Sequence, residues 1–286
     1  MRHLLTTALL TALLVPAASG ADPQSTLDQI ASSGKIRIGF RQSVPPMSFR
    51  DNEGNPVGYS IDLCTMIADA VKIKLGNPEI SVDLLAVNSQ NRFEALVENK
   101  IDILCGATTK TLARGELVDF TQLTFATGAS LMSLQAEPVN TIEDLEGKKV
   151  AVAKGTTTEK VLIEVVAQSR IKTEIVTVES AVEGFDMLAK GEVAALSADQ
   201  VVLIGLLFTS DDPRRYGVSE VTFSYEPFAL AIRRNDADFR LLADRVLSRL
   251  YRTGNIIETY QRWFGGFSKE IPGAIAAVYQ INATPE

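Results

Sequence analysis

The chain has 286 residues, of which 46% are hydrophobic and 22% charged, and its mean hydropathy is +0.10. This balance is typical of a globular protein and excludes disordered, collagen-like and coiled-coil chains, and at about 100–200 residues per domain the length predicts two domains. The formal net charge is −7 and no block of Lys and Arg residues occurs, so the sequence does not predict a surface that binds nucleic acid.

The first residues have the pattern of a secretory signal peptide. Arg2 supplies a positive charge, an apolar run extends from Leu4 to Val15, and small residues follow up to Ala21. Because spanning a bilayer takes about 20 apolar residues, this run is too short for a transmembrane helix. We therefore predict that residues 1–21 are cleaved during export, with a retained membrane anchor as the alternative.

The first half of the exported chain alternates short strands with helices. Its β-branched and apolar runs predict strands at residues 35–40, 57–59, 80–87 and 101–105. Apolar residues at helical spacing predict helices at 60–75, with Ser60 as the N-cap, and at 91–98. Such alternation is typical of α/β proteins.

The second half repeats this alternation. Strands are predicted at residues 149–153, 175–178 and 193–197. Residues 155–158 predict a turn, and helices are predicted at 159–168 and 182–189. The apolar run 193–208 is interrupted at Asp199, so it predicts a buried strand followed by a buried helix rather than a membrane span.

One pattern recurs in the two halves. A helix that leads into a strand carries four apolar residues at the same spacing in each half: Phe93, Leu96, Ile101 and Leu104, then Phe185, Leu188, Val193 and Leu196. The recurrence predicts two similar α/β lobes that face each other. Because open α/β sheets bind ligands beyond the carboxyl ends of their strands, the two lobes would share one ligand cleft.

Polar residues gather where the predicted strands end. The first half contributes Arg41, Ser43, Ser89, Arg92, Thr108, Thr109 and Arg114, and the second half contributes Thr156, Thr157 and Asp199. The guanidinium group is a planar fork that binds carboxylates, and a single carboxylate suits an ammonium group. The set therefore predicts a small ligand with more negative than positive charge; for each arginine taken alone, the alternative is a surface salt bridge.

Histidine and cysteine usage limits the chemistry. The only histidine is His3, inside the predicted signal peptide. The exported chain therefore has no Ser-His-Asp triad, no Cys-His pair and no zinc site with imidazole ligands, and we expect no metal or other cofactor. Cys64 and Cys105 are the two cysteines, and the sequence leaves open whether they form a disulfide or remain two buried thiols.

Several motifs together resemble the periplasmic solute-binding proteins of polar amino-acid ABC transporters, the bacterial extracellular solute-binding protein family 3. They are Gly39–Arg41, Val57–Leu63, Lys100–Thr109, Arg114 followed by Val118–Phe120, Gly155–Thr157 and Trp263–Phe264. The segments Ser25–Asp28, Asn88–Arg92 and Cys105–Thr109 resemble most closely the glutamate/aspartate-binding branch. The likeness covers residues 25–266.

The resemblance implies an α/β periplasmic binding protein fold of type II, in which two crossing strands join the lobes and the ligand lies between them. The first lobe would be discontinuous and the second continuous, with a tail after them: residues 22–126 plus 227–266, then 127–226, and 267–286. The hinges would lie near 126–131 and 223–228. Helices at 239–252 and 256–263 would complete the first lobe.

The resemblance also implies roles for the polar residues. Arg114 would hold the ligand α-carboxylate with the help of Thr109 and the turn that contains Thr156 and Thr157. Asp199 would take the α-ammonium group.

Arg41, Ser89 and Arg92 would receive the ligand side-chain carboxylate. The resemblance further implies a serine at the position of Ala107 and a histidine at the position of Ala181, and this chain has alanine at both. The two lost polar groups imply that the preference for acidic ligands is incomplete.

The implied function is that of a monomeric periplasmic protein that captures glutamate or aspartate and delivers it to an ABC permease. A different class is an enzyme on the same scaffold, similar to dehydratases of cyclic acids, which needs a carboxylate free for proton transfer. A third class is a ligand sensor that docks on a chemoreceptor or a histidine kinase.

Overall fold

The computed structural model describes residues 25–286, so the predicted signal peptide lies outside the described residues. The strands are β1 Lys35–Arg41, β2 Ser43–Val44, β3 Ser48–Arg50, β4 Pro56–Val57, β5 Ser81–Val87, β6 Ile103–Cys105, β7 Val118–Thr127, β8 Ala129–Leu134, β9 Lys149–Ala153, β10 Glu174–Val178, β11 Ala195–Asp199, β12 Tyr216–Val218 and β13 Glu226–Arg233. The helices are α1 Thr26–Ser33, α2 Tyr59–Leu75, α3 Arg92–Val97, α4 Leu112–Gly115, α5 Thr157–Ser169, α6 Ala181–Ala189, α7 Gln200–Thr209, α8 Ala237–Thr253, α9 Ile256–Phe264 and α10 Gly273–Ile281.

Two five-stranded sheets of the same design form the two lobes. The first has the order β5-β1-β6-β13-β7 and the second the order β10-β9-β11-β8-β12. In each sheet the first three strands run parallel. The fourth strand is antiparallel to the third, and the fifth is antiparallel to the fourth. The recurring apolar pattern belongs to the equivalent pairs α3–β6 and α6–β11, so the predicted two-lobed α/β fold is confirmed.

Two strands carry the chain between the lobes. β7 belongs to the first sheet and ends at Thr127, and β8 begins at Ala129 in the second sheet. The chain returns through β13, whose first residue, Glu226, pairs with Thr127. Gly128 lies at the crossing, where a Cβ atom would be 2.5 Å from the carbonyl oxygen of Ser224. The close approach of the two segments therefore requires a glycine.

Several predicted element boundaries differ from the structure by one or two residues, and two of these differences have a clear structural cause. Helix α2 begins at Tyr59, which was expected to end a strand, and its N-cap is Gly58 rather than Ser60. Gly58 has a φ of 141°, and a Cβ atom there would be 2.5 Å from the carbonyl oxygen of Met47. Backbone contact with the preceding loop thus decides where the helix starts, and Ser60 instead donates its hydroxyl hydrogen to the carbonyl oxygen of Gly106 at 3.2 Å.

The second wrong boundary is the turn expected at residues 155–158, because α5 already begins at Thr157. Thr156 is the N-cap, and its hydroxyl accepts from the N–H of Glu159 at 3.0 Å. The Glu159 carboxylate in turn accepts from the N–H of Gly155 at 2.7 Å. This reciprocal capping stabilises the first turn of the helix and leaves its N-terminal backbone amides directed away from the helix body.

The structure joins Cys64 and Cys105 in a disulfide with a Cα–Cα distance of 6.4 Å. Cys64 lies in α2 and Cys105 is the last residue of β6, and both are fully buried. The bridge therefore fixes the helix to the strand that leads into the predicted cleft.

The C-terminal segment packs mainly on the first lobe and also contacts the second. The hydroxyls of Tyr279 in α10 and Tyr59 in α2 are 2.9 Å apart, and Asn282 accepts from the N–H of Leu123 at 3.3 Å. Phe267, just before α10, packs against Phe208 of α7 with ring centroids 5.0 Å apart. Among residues 25–286, no helix is both long enough and apolar enough to cross a membrane.

Candidate ligand-binding cleft

A small cavity of about 30 Å³ lies between the lobes, at the carboxyl ends of the parallel strands. The cavity brings together seven of the predicted site residues: Arg41, Arg92, Thr109, Arg114, Thr156, Thr157 and Asp199. The ends of the predicted strands thus bring together, in one cleft, side chains that are far apart in sequence.

Ser89 is the predicted site residue that does not line the cavity. It is buried, its hydroxyl has no hydrogen-bond partner, and its carbonyl oxygen faces Gly155 of the other lobe, 3.3 Å from where a Cβ atom would stand. Ser89 therefore lies at the edge where the two lobes meet. Of the other polar residues at strand ends, Ser43 and Thr108 also lie outside the cavity lining.

The three arginines have no charged partner. Arg41 and Arg92 are 3% and 2% exposed, and no carboxylate among residues 25–286 forms an ion pair with either of them or with Arg114. Arg114 donates to the carbonyl oxygen of Thr109 at 2.7 Å, and the Nε of Arg92 is buried without a partner. Both side chains stack on Phe93, with centroid distances of 5.0 and 5.2 Å. The alternative interpretation of these arginines, that each forms a surface salt bridge, is therefore excluded.

Burial lowers the pKa of all three guanidinium groups. It lowers the pKa of Arg41 to about 10, with a smaller contribution from the charge of Arg114. Burial also lowers the pKa of Arg92 well below its ordinary value, and the charges of Arg41 and Arg114 lower it as well. Arginine stays protonated in proteins, so the loss of water destabilises all three charged groups, and neighbouring positive charge adds to this effect at Arg41 and Arg92. An anion in the cavity would relieve both effects.

Asp199 ends β11 on the other side of the cavity. The residue keeps some exposed surface, but its Oδ1 is buried and has no hydrogen-bond partner. Burial first, and then the nearby charge of Glu226, raise its pKa to about 7 against the opposing effect of the three arginines. The carboxyl group thus lacks the hydrogen-bond donor that a buried anion requires.

Glu226 is a second carboxylate, which the sequence analysis missed. It is 2% exposed, and its Oε2 accepts from the hydroxyls of Thr109 at 2.6 Å and Thr157 at 2.7 Å. Its Oε1 accepts from the hydroxyl of Ser224 at 2.8 Å. Glu226 begins an antiparallel strand, so an argument from the ends of parallel strands could not find it. The available signal was a glutamate placed directly before an apolar run at a predicted hinge.

The charged groups leave an excess of positive charge. Within the described chain, Arg41, Arg92, Arg114 and Asp199 are the charged side chains that line the cavity, and Glu226 lies directly behind Thr109 and Thr157. Three guanidinium groups against two carboxylates leave one net positive charge when both carboxylates are ionised. The cavity is therefore suited to a ligand that carries one net negative charge.

The remaining wall includes the methyl groups of Ala107 and Ala181, one from each lobe. Both residues are buried. They offer neither a donor nor an acceptor, so this part of the cavity cannot orient a polar ligand atom.

The lobes touch each other around the cavity. The Gln90 amide donates to Glu179 at 2.9 Å, and the hydroxyls of Thr109 and Thr157 are 3.1 Å apart. Residues 25–286 contain no cluster of three or more His, Cys, Asp or Glu side chains that could hold a metal ion. The cleft is thus a charged site enclosed between two α/β lobes. This arrangement is that of the two-lobed binding proteins.

Residues 36–266 match the family model described as bacterial extracellular solute-binding proteins, family 3. The chain belongs to this family. The resemblance inferred from sequence motifs is therefore confirmed.

Curated relatives include an L-glutamate/L-aspartate-binding protein of Pseudomonas aeruginosa, which is 32% identical over 91% of this chain and 87% of its own length. A glutamate/aspartate import solute-binding protein of Salmonella typhimurium is 32% identical over 91% of this chain and 88% of its own length. The corresponding Escherichia coli protein is 30% identical over 84% and 80% of the two chains.

Solved structures show the same fold. An ancestral arginine-binding protein bound to glutamine has a TM-score of 0.72 and 28% identity, over 81% of this chain and 98% of its own. An ancestral amino-acid-binding protein described as a precursor of cyclohexadienyl dehydratase has a TM-score of 0.73 and 28% identity, over 84% and 100% of the two chains.

Proposed function

We propose that the protein is a periplasmic receptor that binds acidic amino acids, glutamate and aspartate, and delivers them to an ABC permease without chemical change. Membership of the solute-binding family and the names of the relatives support binding and import. The observation that carries the choice of ligand is the single excess positive charge formed by buried arginines without ion-pair partners. An acidic amino acid has one net negative charge at neutral pH and neutralises it.

In this proposal the ligand lies with its α-carboxylate at Arg114 and the N-terminus of α5. The partial positive charge of the helix N-terminus and the backbone amides there stabilise an anion. Asp199 pairs with the α-ammonium group, which supplies the missing donor to Oδ1. Arg41 and Arg92 bind the side-chain carboxylate, with Ser89 beside them at the edge between the lobes.

The proposed lobe boundaries are those implied by the sequence, 22–126 with 227–266 for the first lobe and 127–226 for the second. The crossing of β7 and β13 at Thr127 and Glu226 supports them. The contacts of Tyr279 and Asn282 with α2 and β7 support adding the end of the tail, 267–286, to the first lobe, while Phe267 at its start contacts α7 of the second.

An enzymatic function is the second candidate, because the Asp199 carboxyl group has a pKa of about 7 and a similar structure is described as a dehydratase precursor. Glu226 does not supply the further acid or base, since three hydroxyl groups already donate to it. The loss of ultraviolet absorbance during incubation with cyclic prephenate-like acids would reveal such an activity. We expect none.

The test of the proposed function is calorimetric titration of protein from which bound ligand was removed by unfolding and refolding. Glutamate or aspartate should bind more tightly than glutamine or asparagine by a few-fold to about 30-fold, because a charge-assisted hydrogen bond contributes about 1.5–3 kcal/mol against about 1 for a neutral one. Arg92→Gln should bring the acid-to-amide ratio close to one.

Arg245→Gln is the matched control, because Arg245 is an exposed arginine outside the cavity and its loss changes the net charge equally. It should leave the ratio unchanged. Tighter binding of glutamine or of a cationic amino acid than of both acids would contradict the proposed ligand.

A further inference from the structure

Glu226 holds one hydroxyl group from each lobe. Thr109 follows β6 of the first lobe, and Thr157 is the first residue of α5 in the second. A single oxygen, Oε2, accepts from both hydroxyls, while Oε1 accepts from Ser224 in the segment that leads into β13. The carboxylate is therefore fixed from three sides at the crossing between the lobes.

This arrangement determines whether the two hydroxyls donate or accept hydrogen bonds toward the ligand. A threonine hydroxyl has one hydrogen to donate and two lone pairs that accept, and an ionised carboxylate only accepts. Thr109 and Thr157 both donate their hydrogen to Glu226, so the 3.1 Å contact between their oxygens is not a hydrogen bond. Both oxygens are left as acceptors toward the cavity that they line.

The consequence is that these two hydroxyls accept hydrogen bonds from a ligand and donate none to it. Asp199 adds an unpartnered buried oxygen to the same cavity, and Glu226 adds a second negative charge behind the hydroxyls. A carboxylate oxygen placed against these two hydroxyls would find no donor in them. A protonated amine has three hydrogens to donate and satisfies this environment.

We propose that Glu226 is a positioning residue that makes the cleft selective for the ligand's α-ammonium group, by fixing the Thr109 and Thr157 hydroxyls as acceptors in both lobes. The proposal rests on the proposed binding of acidic amino acids. It adds that the cleft prefers a ligand with an amine on its α-carbon over one with a hydroxyl group or only hydrogen there. The hydroxyl group of Thr109 then cannot donate to the α-carboxylate, because its hydrogen is already donated to Glu226.

The experiment compares the dissociation constants of glutamate, its α-hydroxy analogue and glutarate, measured by calorimetry on the full exported chain. In the wild type, glutamate should bind at least about tenfold more tightly than either analogue. In Glu226→Gln this ratio should fall by about 3- to 30-fold, because the side-chain amide donates to the hydroxyls and lets them turn their own hydrogens toward the ligand. Binding of the analogues is expected to persist, which also shows that the variant is folded.

Thr157→Val is the second variant, since it removes one of the two acceptors with little change in volume and does not depend on the folding of Glu226→Gln. It should lower the same ratio. Ser224→Ala is the matched control: it removes a hydrogen bond from Glu226 at the hinge but keeps the partner of both threonines, and it should leave the ratio within about twofold of the wild type.

An unchanged ratio in Glu226→Gln or in Thr157→Val would overturn the proposal, and so would an equal fall in all three variants, which would indicate a hinge role alone. If the wild type prefers another amino acid, the proposed acidic ligand is wrong. The ratio between that amino acid and its α-hydroxy analogue then tests Glu226 in the same way.

Discussion

The carboxyl group of Asp199 has an ionisation that depends on its surroundings. Burial raises its pKa from 3.8 to about 7, with Glu226 adding to the effect. A carboxyl group whose pKa is higher in the folded than in the unfolded state binds more protons when folded, so stability falls as pH rises between the two pKa values. We therefore expect this residue to destabilise the ligand-free protein progressively from about pH 4 to pH 7.

Urea unfolding of the ligand-free wild type and of Asp199→Asn at pH 5 and pH 8 measures this effect. Asp199→Asn should gain stability relative to the wild type at the higher pH, by at most about 4 kcal/mol, since each pKa unit corresponds to about 1.4 kcal/mol. A stability difference between the two proteins that does not change with pH would show that the carboxyl group is not strained in this way.

Residues of the cleft differ in how far the sequence predicts them. Arg41 and Asp199 end parallel strands, so topology alone brings them to the cleft, and Arg92 follows close behind such an end. Glu226 reaches the same place from an antiparallel strand, through hydrogen bonds to residues more than 60 positions away. Pairing of that kind depends on tertiary packing and leaves no periodic pattern.

At the scale of elements, helix α7 of the second lobe contacts a loop of the first lobe through a glycine. A Cβ atom on Gly205 would be 2.3 Å from the carbonyl oxygen of Pro45. Alanine is favoured over glycine inside a helix by about 1 kcal/mol. Gly205→Ala should therefore preserve or raise the stability of the ligand-free protein while it weakens glutamate binding at least about tenfold, because the lobes could not approach as closely.

Gly184→Ala is the matched control for this prediction. Gly184 is also in a helix, but a Cβ atom there would be 2.6 Å from a methyl group of Leu196 in the same lobe. This variant should lower the melting temperature of the ligand-free protein. Calorimetry and thermal unfolding of both variants separate the two effects, and unchanged affinity in Gly205→Ala would show that this contact does not limit closure.

The strands of the parallel part of each sheet were predicted closely, whereas the long strands β7 and β13 and the shortest strands were not. β9 is confirmed residue by residue, and the other predicted strands of the second lobe differ by two residues or fewer at each end. The short strands β2 and β3 were not predicted, because two or three residues carry no measurable alternation. Helix starts were misplaced where a backbone contact, as at Gly58, rather than a side-chain cap decides them.

At the scale of the whole molecule, the two crossing strands predict closure by hinge bending. Glutamate at saturation should lower the radius of gyration measured by X-ray scattering toward the roughly 18 Å of a compact chain of this length. The ligand-free protein should give a larger value, because three guanidinium groups without ion-pair partners in the cleft oppose contact between the lobes. Identical scattering curves with and without ligand would contradict this prediction.

The architecture as a whole was the most predictable feature. The repeated apolar spacing of the two halves corresponds to equivalent positions in the two sheets, and the motifs indicated the family. The position of the last segment was not predictable from periodicity. It depends on tertiary contacts such as the pair of hydroxyls of Tyr59 and Tyr279.

The order of strands in the first sheet has a consequence for how the chain acquires its structure. β13 lies between β6 and β7, although about 100 residues separate it from either of them along the chain. A chain that emerges from its N-terminus therefore presents β1, β5, β6 and β7 with a gap in their sheet until residues 226–233 follow. The second sheet uses one continuous stretch, 129–218, and is complete earlier. The lobe that starts the sequence is thus the last to finish folding, and its unpaired strand edges need protection from aggregation in the meantime.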